Sequence, residues 1–212
     1  TSVFCFLFYH LQFRSESKYL LYPIAVLLGL MIYRIFMRKY FVRAQKLNAP
    51  FPPAYLRILE SKVAFYKSLS SDQQARFRDE ILLFLSEKRV TGIQTEVDDE
   101  VRVLVAASAV IPIFGFPEWE YDDLGEVLIY PGNFDEALQF GGSGEKNIGG
   151  LVGTGIYDKV MILSKPLLLQ GFSDHDDRKN VGIHEFAHLI DKADGEIDGI
   201  PSLYLDRKFI QP

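Results

Sequence analysis

Two imidazoles and a carboxylate fall within five residues of an apolar stretch: His184, Glu185 and His188 in VGIHEFAHLI, residues 181–190. At 3.6 residues per turn, His184 and His188 stack on one helical face, close enough to share a single ion, and Glu185 lies about 100° round the same turn. This HExxH spacing suits Zn²⁺, with two neutral imidazole nitrogens as ligands and the glutamate as general base for a metal-activated water. Val181, Gly182, Phe186, Ala187, Leu189 and Ile190 are all uncharged. The helix is therefore expected to be buried, with the three polar side chains as its polar features, because an unpartnered polar group in an interior costs about 1–3 kcal/mol.

A catalytic zinc takes three protein ligands and keeps one position for water, so the motif supplies two of three. Asp194, six residues after His188, stands where a metzincin places its third ligand. Metzincins, however, need a glycine three residues after the second histidine to turn the chain back, and here that position is Asp191. Asp191 shares the face of the histidines at a helix C-terminus, where the dipole disfavours a negative charge by about 0.3–1 kcal/mol. It is a candidate for orienting an imidazole, as partners of metal ligands do, and equally a candidate for a solvated helix end. Asp194, Gly195, Asp198, Gly199 and Pro201 read as turn residues. His175, among Asp174, Asp176 and Asp177, reads as exposed, and His10 is isolated in an apolar segment with no ligand pattern.

The elements that must position this helix follow from periodicity. Pro50, Pro52 and Pro53 break the chain. After them, residues 54–69 carry Tyr55, Leu56, Leu59, Val63 and Tyr66 at helical spacing. Ser71 with Gln74 forms a capping box for a second helix running to about Lys88 on Phe77, Ile81, Leu82 and Leu85. Asp98 caps a third, which carries Val101, Leu104, Val105 and Ala107 and ends before Pro112. Residues 125–130 and 159–163 read as strands. Between them, residues 140–155 hold seven glycines and lack the strand–helix setting of a nucleotide site, so they read as a flexible loop beside a cleft.

Charge divides the chain of 212 residues. Residues 1–55 carry a net +6 and residues 56–212 a net −11. The acidic part argues against a nucleic-acid partner, since phosphate binding needs clustered Lys and Arg. The single Cys5 excludes an internal disulfide. Residues 19–37, YLLYPIAVLLGLMIYRIFM, contain one charge, Arg34, and as a helix reach about 28 Å, the thickness of a bilayer's hydrocarbon. Arg38, Lys39, Arg43 and Lys46 follow, against Arg14 and Lys18 before, and this asymmetry places the following domain in the cytoplasm. A basic cluster after the apolar run, with no small-residue cleavage site, does not fit a secretory signal. Residues 1–13 are apolar but too few to span, and read either as the remnant of an earlier helix or as an interfacial segment.

Residues 180–201, NVGIHEFAHLIDKADGEIDGIP, resemble the zinc-dependent peptidases of the Mlc titration factor A family, whose helix reads HEFAH, then LD, then DG and DGxP. Residues 121–134, YDDLGEVLIYPGNF, are similar to that family's strand ending in YP, and VMILS, residues 160–164, stands where the family has its next strand. The resemblance runs from about residue 82 onward. It implies an α+β, zincin-like metallopeptidase domain, with helices, a small mixed sheet and the HExxH active-site helix, over residues 49–212. Ahead of it, residues 1–48 hold a transmembrane helix at about 19–37 and a basic juxtamembrane stretch. It implies Zn²⁺ as cofactor, His184 and His188 as metal ligands, Glu185 as the catalytic base, and a peptide or protein substrate, with an aminopeptidase-like activity in view. Residues 160–164 are expected to form the sheet edge on which an extended peptide lies. The family's third ligand is a glutamate well downstream, so the expectation is a glutamate beyond Pro212, with Asp194 as the local alternative. The whole reads as a single-pass membrane protein with its catalytic domain on the cytoplasmic side. The other reading in view is a catalytically weak regulatory module that sequesters a cytoplasmic partner such as a transcriptional regulator.

Overall fold

A computed structural model describes the backbone of residues 2–116, 119–132, 150–152, 159–173 and 180–192, and the side chains of 22–116, 119–132, 159–173 and 180–191. The chain divides into two units, Thr1–Asn48 and Ala49–Pro212. The first is a single helix, α1 (Ser2–Leu47), that runs without interruption through Pro23. The short apolar segment at 1–13 and the longer one at 19–37 are thus one element. Among the described residues no helix is long and apolar enough to cross a membrane. The span read at 19–37 lies only partly within the described side chains, which begin at residue 22.

The second unit is built round α5 (Asp99–Ile113). Val101 and every residue from Val103 to Val110 are buried, and a helix apolar all round has to be enclosed by other elements. Four helices pack on it: α2 (Pro53–Lys62), α4 (Ser71–Glu87), α6 (Lys165–Ser173) and α7 (Val181–Lys192). Asp98 caps it as the sequence predicts, its Oδ1 accepting from the Val101 amide at 2.8 Å. Pro112 sits inside the last turn instead of beyond it. A proline there removes the amide that would have bonded the Ser108 carbonyl, and the helix ends one residue later.

Two other boundaries differ from the sequence reading. The helix expected over residues 54–69 is broken at Val63 (φ −101°, ψ 94°) into α2 and a short α3 (Ala64–Ser68). The break turns the Val63 side chain fully into the core. The capping box of α4 belongs to Ser70 and Gln73, one residue earlier than the Ser71–Gln74 pair. SSDQQ contains both registers, and Gln74 is engaged elsewhere: its Nε2 donates to the Tyr66 and Leu69 carbonyls, tying α3 to α4.

A four-stranded mixed sheet completes the unit, in the order β1 (Arg89–Gly92), β2 (Glu126–Tyr130), β4 (Val160–Ser164), β3 (Gly150–Val152). β1 and β4 run parallel to β2, while β3 is antiparallel to β4. The pairs Val127↔Met161 and Ile129↔Leu163 place four buried side chains on the helix-covered face. Tyr130 and Ile162 form a smaller cluster with Ile93, Leu128 and Val160. The two strands read from sequence are present, the first starting one residue later than read and the second shifted by one residue. Two expectations are overturned. Residues 160–164 are not a sheet edge, because β4 lies between β2 and β3. Among the described residues the edge strands are β1 and β3, the latter drawn from residues 150–152 of the glycine-rich stretch read as a loop. A three-residue strand of Gly, Leu and Val is too short to show alternation, so only pairing with β4 reveals it.

Candidate metal centre

Three residues of α7 and its cap, Asn180, Gly182 and Phe186, fix it against the helices around it. Asn180 caps its N-terminus: Oδ1 accepts from the Ile183 amide at 3.0 Å, and the Asn180 carbonyl accepts from the His184 amide at 3.0 Å. The same side chain donates from Nδ2 to the Gly171 carbonyl at 3.1 Å, so one residue starts α7 and ties it to α6. A Cβ on Gly171 would come 2.9 Å from the Asn180 Cα, so the clasp needs glycine on the α6 side. Asn180→Ala is expected to lower stability by about 1 kcal/mol, within the 0.5–2 kcal/mol range of lost caps. Asn180→Ser, which keeps the cap and loses the tie to Gly171, should recover part of that in urea unfolding. Equal stability of the alanine variant and the wild type would contradict this.

One turn on, Gly182 lies against α5. A Cβ there would stand 2.3 Å from Ser108 Oγ, 2.8 Å from Ser108 Cβ and 3.0 Å from Leu168 Cδ1. Phe186, fully buried, anchors the middle of the helix with ring centroids 5.7 Å from Phe84 and 5.1 Å from Tyr121. Both contacts are edge-on, the arrangement that aromatic quadrupoles favour. Tyr121 is fixed in turn by its hydroxyl, which donates to the Ala109 carbonyl of α5 at 2.7 Å. Burial pushes that phenol well above its ordinary range, so it stays a neutral donor.

With Gly182, Phe186 and Ile190 turned inward, the opposite face carries His184 and His188. Their Nε2 atoms are 3.0 Å apart, and their rings meet at 80° with centroids 4.4 Å apart. Here the sequence expectation needs correcting. The helix is buried along one side only, and both imidazoles are exposed. Glu185 is half-buried beside them; burial raises its carboxyl above the usual range, and the neighbouring His188 pulls it partly back.

The donor pair fits a zinc ion. Two Zn–N bonds of about 2.0–2.1 Å at a tetrahedral angle put their nitrogens about 3.3 Å apart, close to the 3.0 Å seen here. Without a cation, two neutral imidazoles at that distance can satisfy each other with one N–H···N bond at most. Among the described residues no group of three or more His, Cys, Asp or Glu could hold a metal. Asp194, the turn residues at 195–201, His175 and most of the glycine-rich stretch lie outside the described residues.

Asp191 departs from its expected surroundings. It is buried at 8% exposure, and its Oδ1 has no hydrogen-bond partner among the described residues. The solvated helix end is thereby excluded. The imidazole-orienting role is not displayed either, since among the described residues no hydrogen bond joins Asp191 to His184 or His188.

Sequence reasoning assigned no role to Asn180 or Gly182. Asn180 had a signal, an Asn immediately before an apolar periodic run. Gly182 had none, because its reason is a neighbour more than seventy positions away.

Comparison with known proteins agrees with the geometry. The family described as glucose-regulated metallo-peptidase M90 matches residues 37–211. A protein of Synechocystis sp., described as uncharacterized protein slr2042, is 31% identical over 165 residues, covering 75% of this chain. The match takes in 60% of that relative's own length. With most of the chain matched, including α7 and the elements that hold it, the protein belongs to the glucose-regulated metallo-peptidase M90 family, the Mlc titration factor A-like metallopeptidases.

Proposed function

We propose that the protein is a zinc-dependent peptidase, with His184 and His188 as two of the metal ligands and Glu185 as the general base. The observation that carries this is the convergence of the two Nε2 atoms at 3.0 Å, with a half-buried carboxylate on the residue that follows His184. Zinc, when bound, polarises a scissile carbonyl and acidifies water. The remaining work falls to the chain. Glu185 takes a proton from the attacking water at its carboxylate and returns it to the leaving amine. Asn180, Gly182 and Phe186 hold the helix so that these side chains keep their positions relative to one another. An extended peptide is best accommodated on β3, which among the described residues pairs on one side only and packs against α7. Main-chain pairing there would bind peptides with little regard to sequence. An aminopeptidase preference, which the family resemblance favours, would show as faster cleavage of peptides with a free N-terminus than of their acetylated forms.

The test is zinc content and peptide hydrolysis, measured together on the full-length protein. His184→Ala and His188→Ala are each expected to abolish hydrolysis and lower zinc affinity by at least the 10–100-fold that loss of a ligand's hydrogen-bond partner alone produces. Chelation should inactivate the wild type, and zinc should restore it. Stoichiometric zinc in both alanine variants would sink the assignment of the metal to these imidazoles.

A further inference from the structure

We propose that α1 is embedded in a lipid bilayer, with anionic headgroups at the basic, C-terminal end of its apolar stretch. Large apolar side chains are exposed on all sides of residues 22–36, including Tyr22 at 69%, Leu27 at 65%, Ile35 at 63% and Phe36 at 73%. No polar face interrupts them. A helix lying in the plane of a membrane surface would need such a face for the water side. Pairing with a second copy would cover one stripe and leave the others in water. A surface apolar all round is matched only by a medium that is apolar all round. Length agrees once residues 19–21, whose side chains lie outside those described, are counted from the sequence: residues 19–37 rise about 28 Å, against about 30 Å of hydrocarbon. Backbone satisfaction agrees too, because the helix is continuous from Ser2 to Leu47, and within the apolar stretch only Pro23, near its start, lacks an amide to donate.

Charge fixes the polarity. Arg34 lies within a turn of the basic end, where its stem can reach the headgroups, and Arg38, Lys39, Arg43 and Lys46 follow within three turns. The four-to-two excess over Arg14 and Lys18 before the stretch sets this end on the cytoplasmic side, and Arg38 and Lys46 there match an anionic surface. The inference is independent of the peptidase reading, since it uses no residue of the second unit.

The full chain would be reconstituted with vesicles of phosphatidylcholine, with and without phosphatidylglycerol, and floated after salt and alkaline carbonate washes. Flotation that survives both washes is expected, with more protein incorporated when phosphatidylglycerol is present. The double variant Leu27→Asp/Leu30→Asp should be extracted by carbonate, while a zinc measurement on the same sample reports the second unit. Arg38→Gln and Lys46→Gln should each lower partitioning onto anionic vesicles about fivefold. In cells, protease should reach Ala49–Pro212 in inverted vesicles and not in right-side-out ones. Release of the wild type by salt alone, flotation of the aspartate variant after carbonate, a soluble lipid-free dimer, or the reverse protease pattern would each overturn the proposal.

Discussion

Replacing Glu185 by glutamine is expected to reduce peptide hydrolysis by about 10²- to 10⁴-fold while leaving zinc content and folding nearly unchanged. The amide is close in size and shape to the carboxylate but cannot accept a proton. Glu185 is half-buried on the turn between the two imidazoles, which meet each other Nε2 to Nε2 without it. Its loss should therefore spare the donor pair. The effect should fall on kcat more than on KM, because proton transfer matters in the transition state and little in substrate binding. His184→Ala gives the contrasting result, losing metal and activity together. Two outcomes would redirect the reading. If Glu185→Gln loses zinc as fully as His184→Ala, the carboxylate is a ligand and not a base. If the wild type holds zinc, cleaves nothing in a broad peptide library and binds a cytoplasmic partner, the regulatory module foreseen from the family resemblance becomes the better account.

Gly182→Ala should destabilise the second unit by about 1–3 kcal/mol, the usual range for overpacking a filled core. This runs against intrinsic preference, since alanine in place of a helical glycine ordinarily gains about 1 kcal/mol. Sterics win because the nearest obstacle is not the end of a flexible side chain. Ser108 Oγ, 2.3 Å from the added Cβ, could rotate only by giving up its 2.9 Å bond to the Leu104 carbonyl, and Ser108 Cβ, at 2.8 Å, is fixed to the backbone of α5. α7 would have to retreat from α5, carrying His184 and His188 with it. Zinc affinity should therefore fall alongside stability. Ser108→Gly removes both offending atoms, so in the Gly182→Ala background it should restore stability, whereas in the wild type it should cost about 1 kcal/mol. A double-mutant cycle in urea would measure that change of sign. Strict additivity of the two substitutions would show that the close approach is not what requires glycine.

The chemistry was written locally and could be read so. The four-residue spacing of His184 and His188 stacks their side chains in any α-helix, and the helix periodicity of residues 71–87 needs no partner to be recognised. Asp98 likewise caps α5 through its own neighbours, as a short side chain three residues from the amide it accepts. What the sequence could not settle depended on residues distant along the chain. The burial of α7 on one side comes from Gly182 meeting Ser108 and Phe186 meeting Phe84 and Tyr121, and this left the imidazoles exposed where sequence alone predicted a buried helix. The cap of α4 moved to Ser70 because Gln74 is engaged by α3. Strand β4 became interior because three residues of a glycine-rich stretch returned antiparallel beside it, moving that edge of the sheet, among the described residues, from β4 to β3. Spacing fixes which side chains share a face of their own element; only packing decides whether that face meets the core, a neighbouring strand or solvent, because burial is a property of two surfaces and the sequence displays one at a time.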